Sequence, residues 1–209
     1  MGVLAAKYSI KPFSVLKDVA YRFRDQMPRP DVLMELGELG LDITTKCGAG
    51  CAHCYDQERS SAPNVSMSKD FVNMAVDVGD KFGIDRLHLW AGEPTRERKL
   101  LMHSFKAATR NNYRAVQLAT NAMQFKTSGQ ATDFLQSLAQ LAPKSQIAIY
   151  VSCDRNHQSA IPLERVANIV SAFLKSNIRR SVHMATITAH MVNDFTLMDL
   201  FVLLNQKYG

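Results

Sequence analysis

Short hydrophobic runs typical of β-strands alternate along the chain with amphipathic stretches typical of α-helices. Five strand-like runs lie at 39–45, 86–91, 115–120, 146–152 and 181–188. After a longer first loop, the strand–helix units recur about every 30 residues, which is the span of a βα repeat. Such a series predicts a parallel sheet with right-handed crossover connections. The pattern therefore predicts an α/β fold with about five βα units.

Each helical stretch carries apolar residues three and four positions apart, which predicts one face packed against the sheet. In the first stretch these residues are Phe71, Met74, Ala75, Val78 and Phe82. The later stripes are Leu101, Phe105, Ala108; Phe134, Leu135, Leu138, Leu141; Val166, Ile169, Val170, Phe173, Leu174; and Leu197, Leu200, Phe201, Leu204.

Residues 1–34 precede the first strand-like run and have a different character. Apolar residues from Phe13 to Phe23 fit one helical face, and Pro28 and Pro30 end this pattern. We expect residues 1–34 to form a helical prefix beside the sheet. Residues 35–209 are expected to form one βα domain, because a chain of 209 residues suits a single domain.

The carboxyl ends of the strand-like runs carry polar and aromatic residues, and parallel βα folds place their chemistry at these ends. Alternation along a strand directs His88, Trp90 and Tyr150 to the interior face, and His157 follows on the loop after the fourth strand. A polar and aromatic interior predicts a ligand cavity, with these four as candidate substrate contacts. A core role for His88 and Trp90 and a plain loop role for His157 are the alternatives.

Three cysteines follow the first strand with the spacing C-x3-C-x2-C: Cys47, Cys51 and Cys54. Three thiolates on one glycine-bearing loop can ligate three irons of an iron–sulfur cube and leave the fourth iron open to a second molecule. A structural zinc site is the main alternative, and its fourth ligand would come from the distant His88 or His103. The fourth cysteine, Cys153, is expected to be a small buried apolar residue.

Composition excludes several protein classes. No apolar run approaches the ~20 residues of a membrane-spanning helix, and the amino terminus is too weakly apolar for a signal peptide. Three clustered cysteines argue against a disulfide framework and for a reducing, cytoplasmic location. The net charge of +6 indicates a solvated basic face, with docking of an acidic electron donor or of an anionic substrate such as RNA as sharper alternatives.

Taken in order, the motifs at the strand ends resemble those of the radical S-adenosylmethionine (SAM) superfamily. The resemblance covers roughly residues 36–190 and rests on four motifs. The first is the cysteine motif with His53 and Tyr55. The other three are Gly92-Glu93-Pro94, which is similar to the family's Gly-Gly-Glu-Pro, Thr120-Asn121, which is similar to its Thr-Asn-Gly, and Ser152-Cys153-Asp154, which is similar to its Ser-x-Asp.

The resemblance implies an enzyme that holds a [4Fe-4S] cluster and SAM in a partial, open barrel of parallel strands. Reductive cleavage of SAM would give a 5′-deoxyadenosyl radical that abstracts hydrogen from a substrate. The electron would come from a donor such as flavodoxin or ferredoxin. The cysteine triad would ligate the cluster.

The other motif residues would contact SAM. Glu93, after Gly92, would accept hydrogen bonds from the SAM ammonium group. A carboxylate at a helix N-terminus, satisfied by backbone amides, is the alternative for this residue. Ser152 or Asp154 would meet the ribose hydroxyls. The remaining contacts implied are His53 and Tyr55 near the adenine, and Asn121, for which a turn role is the alternative.

The chain departs from the family pattern at two points. Ala91 replaces the first glycine of the second motif. The family's partial barrel usually has six βα units, whereas five are predicted here. We therefore expect a C-terminally shortened core, with a partner or a second copy closing the open edge.

Two alternatives to an active radical SAM enzyme stay open. One is a truncated or degenerate subunit that binds the cluster or SAM without catalysis. The other is a zinc-stabilised binding protein. For an active enzyme, a peptide or a small metabolite is the expected substrate class, and the sequence does not specify the reaction outcome.

Overall fold

The computed structural model describes residues 37–54, 64–141, 145–176, 182–187 and 196–208. Five parallel strands form one sheet in sequence order: β1 Leu39–Asp42, β2 Arg86–Trp90, β3 Ala115–Thr120, β4 Gln146–Ser152 and β5 Val182–Ile187. The described helices are α1 Lys69–Lys81, α2 Arg98–Arg110, α3 Ser128–Leu141, α4 Arg155–Gln158, α5 Leu163–Lys175 and α6 Thr196–Tyr208, and a 3-10 turn, Pro94–Glu97, precedes α2.

The predicted fold class is confirmed: the chain is an α/β protein whose parallel sheet forms a partial, open βα barrel. The predicted prefix, residues 1–34, lies outside the described residues. Among the helices that the structure describes, none combines the length and the apolar content needed to cross a bilayer.

The helix-facing side of the sheet forms the core. Every second residue on the three central strands is fully buried there: Leu87, Leu89, Val116, Leu118, Ile147, Ile149 and Val151. The residues between them face the opposite side, where Trp90 remains 39% exposed. The predicted alternation is therefore confirmed on these strands, and it gives the sheet one apolar face and one polar face.

The prediction for the first strand was wrong at its carboxyl end. The strand ends at Asp42, and Thr44 instead forms an isolated antiparallel bridge with Ser66. The backbone N–H of Thr45 donates to the carbonyl of Val65 at 2.9 Å. Residues beyond Asp42 therefore pair with the segment before α1, and the chain turns away from β2 into the cysteine loop.

The prediction for the buried face of α1 was also wrong. The helix buries Val72, Val76 and Gly79, whereas Val78 and Phe82 of the predicted stripe are more than a third exposed. Gly79 faces Tyr113, whose hydroxyl would lie 2.2 Å from a Cβ at that position, and the same hydroxyl donates to the carbonyl of Val76. This distant contact fixes the rotation of α1 about its axis.

The last helix, α6, buries Leu200 but not the whole predicted stripe. Phe201 is 62% exposed, together with its neighbours Met198 and Val202. The inclusion of Phe201 in the packed face was therefore wrong.

Candidate functional site

A cavity of about 840 Å³ opens at the carboxyl ends of β1 to β4. This volume is in the range of sites that hold a cofactor-sized ligand. Its walls include the cysteine loop from Thr45 to Cys54, the turn after β2, the end of β3 and the loop after β4. The lining residues that the sequence singled out are Cys47, Cys51, His53, Cys54, Trp90, Gly92, Glu93, Asn121, Ser152 and His157.

The cysteine loop is shaped by two glycines and held by two side chains from other strand ends. Gly48 and Gly50 have φ angles of 79° and 63°, in the left-handed region that glycine adopts at little cost. Arg96 donates to the carbonyl oxygen of Cys47 at 2.6 Å. The Nδ2 of Asn121 lies 3.4 Å from the Sγ of Cys47 and donates to it. The first cysteine is thus fixed through both its backbone and its sulfur.

The chemistry of the three thiols fits a cationic inorganic cluster. None of the four cysteines, all of which lie in the described residues, forms a disulfide bond. Burial raises the pKa of Cys47. Burial is also the largest cause of the raised pKa of Cys51, and the charges of Cys47 and Cys54 raise it further. Thiolates crowded in this way need a neighbouring cation, and iron supplies one while releasing the thiol protons.

The three thiol sulfurs do not form a group of donor atoms that all lie within 4.8 Å of one another in the described residues. One group of three ligating side chains in the described residues has its donor atoms all within 4.8 Å of one another, and it does not contain the cysteines. Tetrahedral zinc with bonds of about 2.3 Å would hold thiolates about 3.8 Å apart. Cysteine thiolates are also the ligands of iron–sulfur clusters, so the donor set on this loop fits such a cluster by its chemistry.

Glu93 is a buried carboxylate, 1% exposed, at the floor of this cavity. Its Oε1 accepts hydrogen bonds from the backbone N–H and the hydroxyl of Thr95 and, at 2.7 Å, from the hydroxyl of Thr120. Its Oε2 accepts from the backbone N–H of Asn121 at 2.7 Å. Burial raises the pKa of Glu93, although these hydrogen bonds act in the opposite direction.

The same glutamate also begins the 3-10 turn before α2, since its side chain accepts from the N–H of Thr95. A structural role and a ligand-binding role for Glu93 are thus compatible, because Glu93 lines the cavity as well. Its two threonine partners were not predicted as site residues. Thr95 follows Glu93 by two residues, the spacing of a side chain that caps its own turn, and this signal was present in the sequence.

The backbone at the ends of β2 and β3 adopts conformations that favour glycine. Gly92 has a φ of 56°, and a Cβ there would lie 2.4 Å from the carbonyl oxygen of Thr44, so no other residue fits. Ala91 and Ala122 also have positive φ angles, 64° and 65°. Both alanines stand where the resemblance described above places a motif glycine, and both adopt a left-handed backbone.

Ala91→Gly is expected to raise the free energy of unfolding by about 0.5–1 kcal/mol, since the left-handed strain of alanine exceeds the entropy cost of glycine. Ala122→Gly should leave the free energy of unfolding nearly unchanged. Ala122 is fully buried, so the relief of its left-handed strain is offset by the loss of a packed methyl worth about 0.8 kcal/mol. Ala119→Gly on the regular strand β3 is the matched control and should destabilise. Urea unfolding measures all three, and destabilisation by Ala91→Gly would contradict the assignment of strain.

Asp154 lies behind the cavity wall. It is 1% exposed, and its Oδ2 lies 2.7 Å from the Nδ1 of His157. Its Oδ1 accepts a hydrogen bond from the backbone N–H of His157, so Asp154 is the N-cap residue of α4. Ser152 and His157 line the cavity, whereas Asp154 does not. The ring of His53 meets that of His157 edge to face, with centroids 4.6 Å apart.

The aromatic residues of the interior face form one connected group. The ring of His88 stacks on Trp90 at 5.4 Å with an interplanar angle of 21°, and Tyr150 lies beyond at 6.3 Å. The Nδ1 of His88 lies 3.1 Å from the Oε1 of Glu38. Gly40 makes room for Trp90, because a Cβ there would lie 3.2 Å from the indole nitrogen. Of this group only Trp90 lines the cavity.

The remaining predicted residues are placed as follows. Tyr55 lies outside the described residues. Cys153 is fully buried. The two histidines considered as a fourth zinc ligand are bonded elsewhere, His88 to Glu38 and His103 to Asn73 at 2.8 Å.

No protein-family model matches the chain. Curated proteins of Saccharolobus islandicus (strain M.14.25 / Kamchatka #1) and Saccharolobus solfataricus (strain ATCC 35092 / DSM 1617 / JCM 11322 / P2) are 29% identical to it over 102 residues. Both carry the description "Probable GTP 3',8-cyclase". The similar region covers 49% of this chain and 31% of each relative, so the chain matches about a third of their length. GTP 3′,8-cyclases are radical SAM enzymes, and the similarity suggests that superfamily.

Proposed function

We propose that this chain is a radical SAM enzyme that binds a [4Fe-4S] cluster and SAM in the cavity at the ends of β1 to β4. One observation carries the proposal: the cysteine loop and the buried carboxylate of Glu93 meet at one cavity and are joined through a single residue. Asn121 donates its side-chain amide to the Sγ of Cys47 and its backbone N–H to Glu93. The partial similarity to GTP 3′,8-cyclases supports the same reading.

When bound, the cluster supplies one electron for the reductive cleavage of SAM to a 5′-deoxyadenosyl radical, which abstracts hydrogen from the substrate. The chain holds and orients these groups. The three cysteines would ligate three irons, and the amide of Asn121 would stabilise negative charge on the Cys47 sulfur. A hydrogen bond of this kind raises the reduction potential of the site.

Glu93 would bind the ammonium group of SAM. Four donors already fix the carboxylate, so it needs no rearrangement to receive a cation. Burial raises its pKa, and a bound ammonium would act in the opposite direction by favouring the charged form. Ser152 and the ring of His53 are the wall residues we assign to the nucleoside part of SAM.

For the substrate, we propose a peptide or small metabolite with a planar ring that packs on Trp90. An indole that is 39% exposed at a cavity wall offers a large flat surface at low conformational cost. GTP is the first nucleotide to test, because it appears in the description of the relatives.

Trp90 is the chain's one tryptophan, so it reports on the cavity without labelling. Addition of a ring-containing ligand to the anaerobic, cluster-loaded protein in the presence of SAM should change its fluorescence saturably and should reduce quenching by acrylamide, because the ligand covers the exposed ring. GTP and ring-containing peptides are then titrated in the same way. Methionine alone, which lacks the nucleoside, serves as the control. Fluorescence that none of these compounds alters would contradict the placement of Trp90 at a ligand site.

The deciding experiment is EPR spectroscopy of the protein reconstituted anaerobically with iron and sulfide and then reduced, with and without SAM. A [4Fe-4S]+ signal that changes on addition of SAM, with formation of 5′-deoxyadenosine, is the expected result. A signal that changes without any cleavage would instead indicate a cluster- and SAM-binding subunit. One zinc and no iron per chain would overturn the proposal in favour of a zinc-stabilised protein.

A further inference from the structure

Four basic residues lie at the start of the cysteine loop and on the turn that leads into α2. Arg96, Arg98 and Lys99 are exposed, and Lys46 is partly buried. Glu97, the acidic residue between them, is paired with Lys46. The surface beside the cysteine loop therefore carries a net positive charge. We call these four basic residues the basic rim.

The basic rim is bonded to the backbone of the first cysteine. The guanidinium of Arg96 donates to the carbonyl oxygen of Cys47 at 2.6 Å. Gly48 makes room for it, because a Cβ at this position would lie 2.5 Å from the Nη1 of Arg96. The backbone N–H of Glu93 donates to the carbonyl of Lys46 at 2.8 Å, which ties the two segments together. An exposed cation thus touches a proposed cluster ligand, and the path from solvent to that ligand is short.

Helix stability does not explain the charges of the basic rim. The first turn of α2 contains Arg98 and Lys99 and no acidic residue. The dipole of a helix disfavours cations at its amino end and favours them at its carboxyl end. Residues that break such a local rule are typical of functional surfaces. We therefore infer that these charges serve a partner.

The basic rim also leaves the cavity open. None of its four residues is among those that line the cavity in the described part of the chain. A protein seated on the basic rim would reach the cysteine loop from outside, and SAM and substrate would keep their entry to the cavity.

We propose that the basic rim is the docking surface for a small acidic protein that carries one electron on a reduced flavin. The inference rests on the proposed function and names the partner of that site. The flavin hydroquinone loses one electron and becomes the semiquinone, and the electron passes to the cluster without any bond being made or broken. Electron-transfer contacts are small and transient, so opposite charges, more than apolar burial, set the rate of encounter.

The test is the double variant Arg98→Glu, Lys99→Glu in the cluster-loaded chain, with reduced flavodoxin as the donor. At low ionic strength the second-order rate of flavodoxin oxidation, followed by stopped-flow absorbance, should fall about 10–100-fold. Flavin fluorescence anisotropy should show weaker binding of oxidised flavodoxin to the variant. Formation of 5′-deoxyadenosine with dithionite should stay at the wild-type rate, because this small reductant needs no docking surface.

A loss of folding would not imitate this result. Glutamate is favoured in the first turn of a helix, so Lys99→Glu should not lower the free energy of unfolding. Arg98 also contacts Phe134 and Ser137 on α3. The single variant Lys99→Glu keeps these contacts, and it should still slow the reaction with flavodoxin about 3–10-fold.

The matched control is Lys81→Glu, Arg110→Glu. These exposed residues lie in the last turns of α1 and α2, at the opposite end of the sheet, and their reversal changes the net charge equally. The control should react with flavodoxin within about twofold of the wild type. Added salt should slow the wild type more than the double variant at the basic rim, because salt screens exposed charges.

The outcomes separate the two proposals. A wild type that cleaves no SAM with dithionite would contradict the proposed function, and the docking surface with it. If dithionite supports cleavage, equal flavodoxin rates for the wild type and Arg98→Glu, Lys99→Glu would overturn the docking surface alone. Binding of polyuridylate that this variant abolishes, with unchanged flavodoxin rates, would assign the basic rim to nucleic acid and overturn the proposal.

Discussion

Cys47→Ser is expected to reduce 5′-deoxyadenosine formation to below about one part in 10³ of wild type, because a chain without its cluster has no source for the electron. A serine hydroxyl is a poor iron ligand, and it replaces the sulfur that receives the hydrogen bond of Asn121. Cys51→Ser and Cys54→Ser should behave alike. Iron and sulfide content per chain and 5′-deoxyadenosine formation under dithionite are the measurements.

Cys153→Ala is the matched control for this series. Cys153 is the fourth cysteine, it is fully buried, and it does not line the cavity. Its variant should bind about four irons per chain, as expected for the wild type. If Cys47→Ser kept its iron and still cleaved SAM, the cysteine triad would not be the cluster site.

Glu93→Gln is expected to weaken SAM binding by about 10–150-fold, the loss of one charge-assisted hydrogen bond of about 1.5–3 kcal/mol. The amide oxygen of glutamine can still accept from Thr95 and Thr120. Its NH₂ group would then face the N–H of Asn121, leaving a buried donor without an acceptor. Equilibrium dialysis of SAM against the cluster-loaded protein measures the effect.

Glu97→Gln is the control for this substitution, since Glu97 pairs with Lys46 near the surface and does not line the cavity. It should bind SAM as the wild type does. Equal weakening by both variants would show a general electrostatic effect, and no weakening by Glu93→Gln would remove Glu93 from the site.

The Glu93→Gln variant also shows how Glu93 makes the stability of the protein depend on pH. Burial raises its folded-state pKa, so between the unfolded pKa of about 4.3 and the folded value the native state binds the extra proton. The stability of the wild type relative to Glu93→Gln should therefore fall as pH rises through this window and should then level off. Urea unfolding at several pH values measures the difference, and a rise with pH would contradict the raised pKa.

The sequence predicted the features that local patterns determine. Alternation alone placed Trp90 and Ser152 on the polar side of the sheet, because the period of a strand is two residues. The cysteine loop and Glu93 follow strands, and parallel strands bring their carboxyl ends to one edge. Short motifs that follow strands were therefore enough to predict that these residues lie together at the cavity wall.

Features that depend on distant contacts were not predictable in this way. The rotation of α1 is fixed by the hydroxyl of Tyr113, which meets Gly79 from a segment 34 residues away. The contact of His53 with His157 requires the loops after β1 and β4 to approach across the barrel. Hydrophobic periodicity carries no signal for either contact.

The sequential order of the strands has a consequence for biosynthesis. In the part of the chain that the structure describes, the residues that line the cavity lie between Thr45 and His157. Because a chain leaves the ribosome amino end first, each strand can pair with its predecessor as it emerges. The ligand contacts can thus assemble while the carboxyl-terminal quarter is still being translated, and nascent-chain affinity for metal or SAM should appear before synthesis ends.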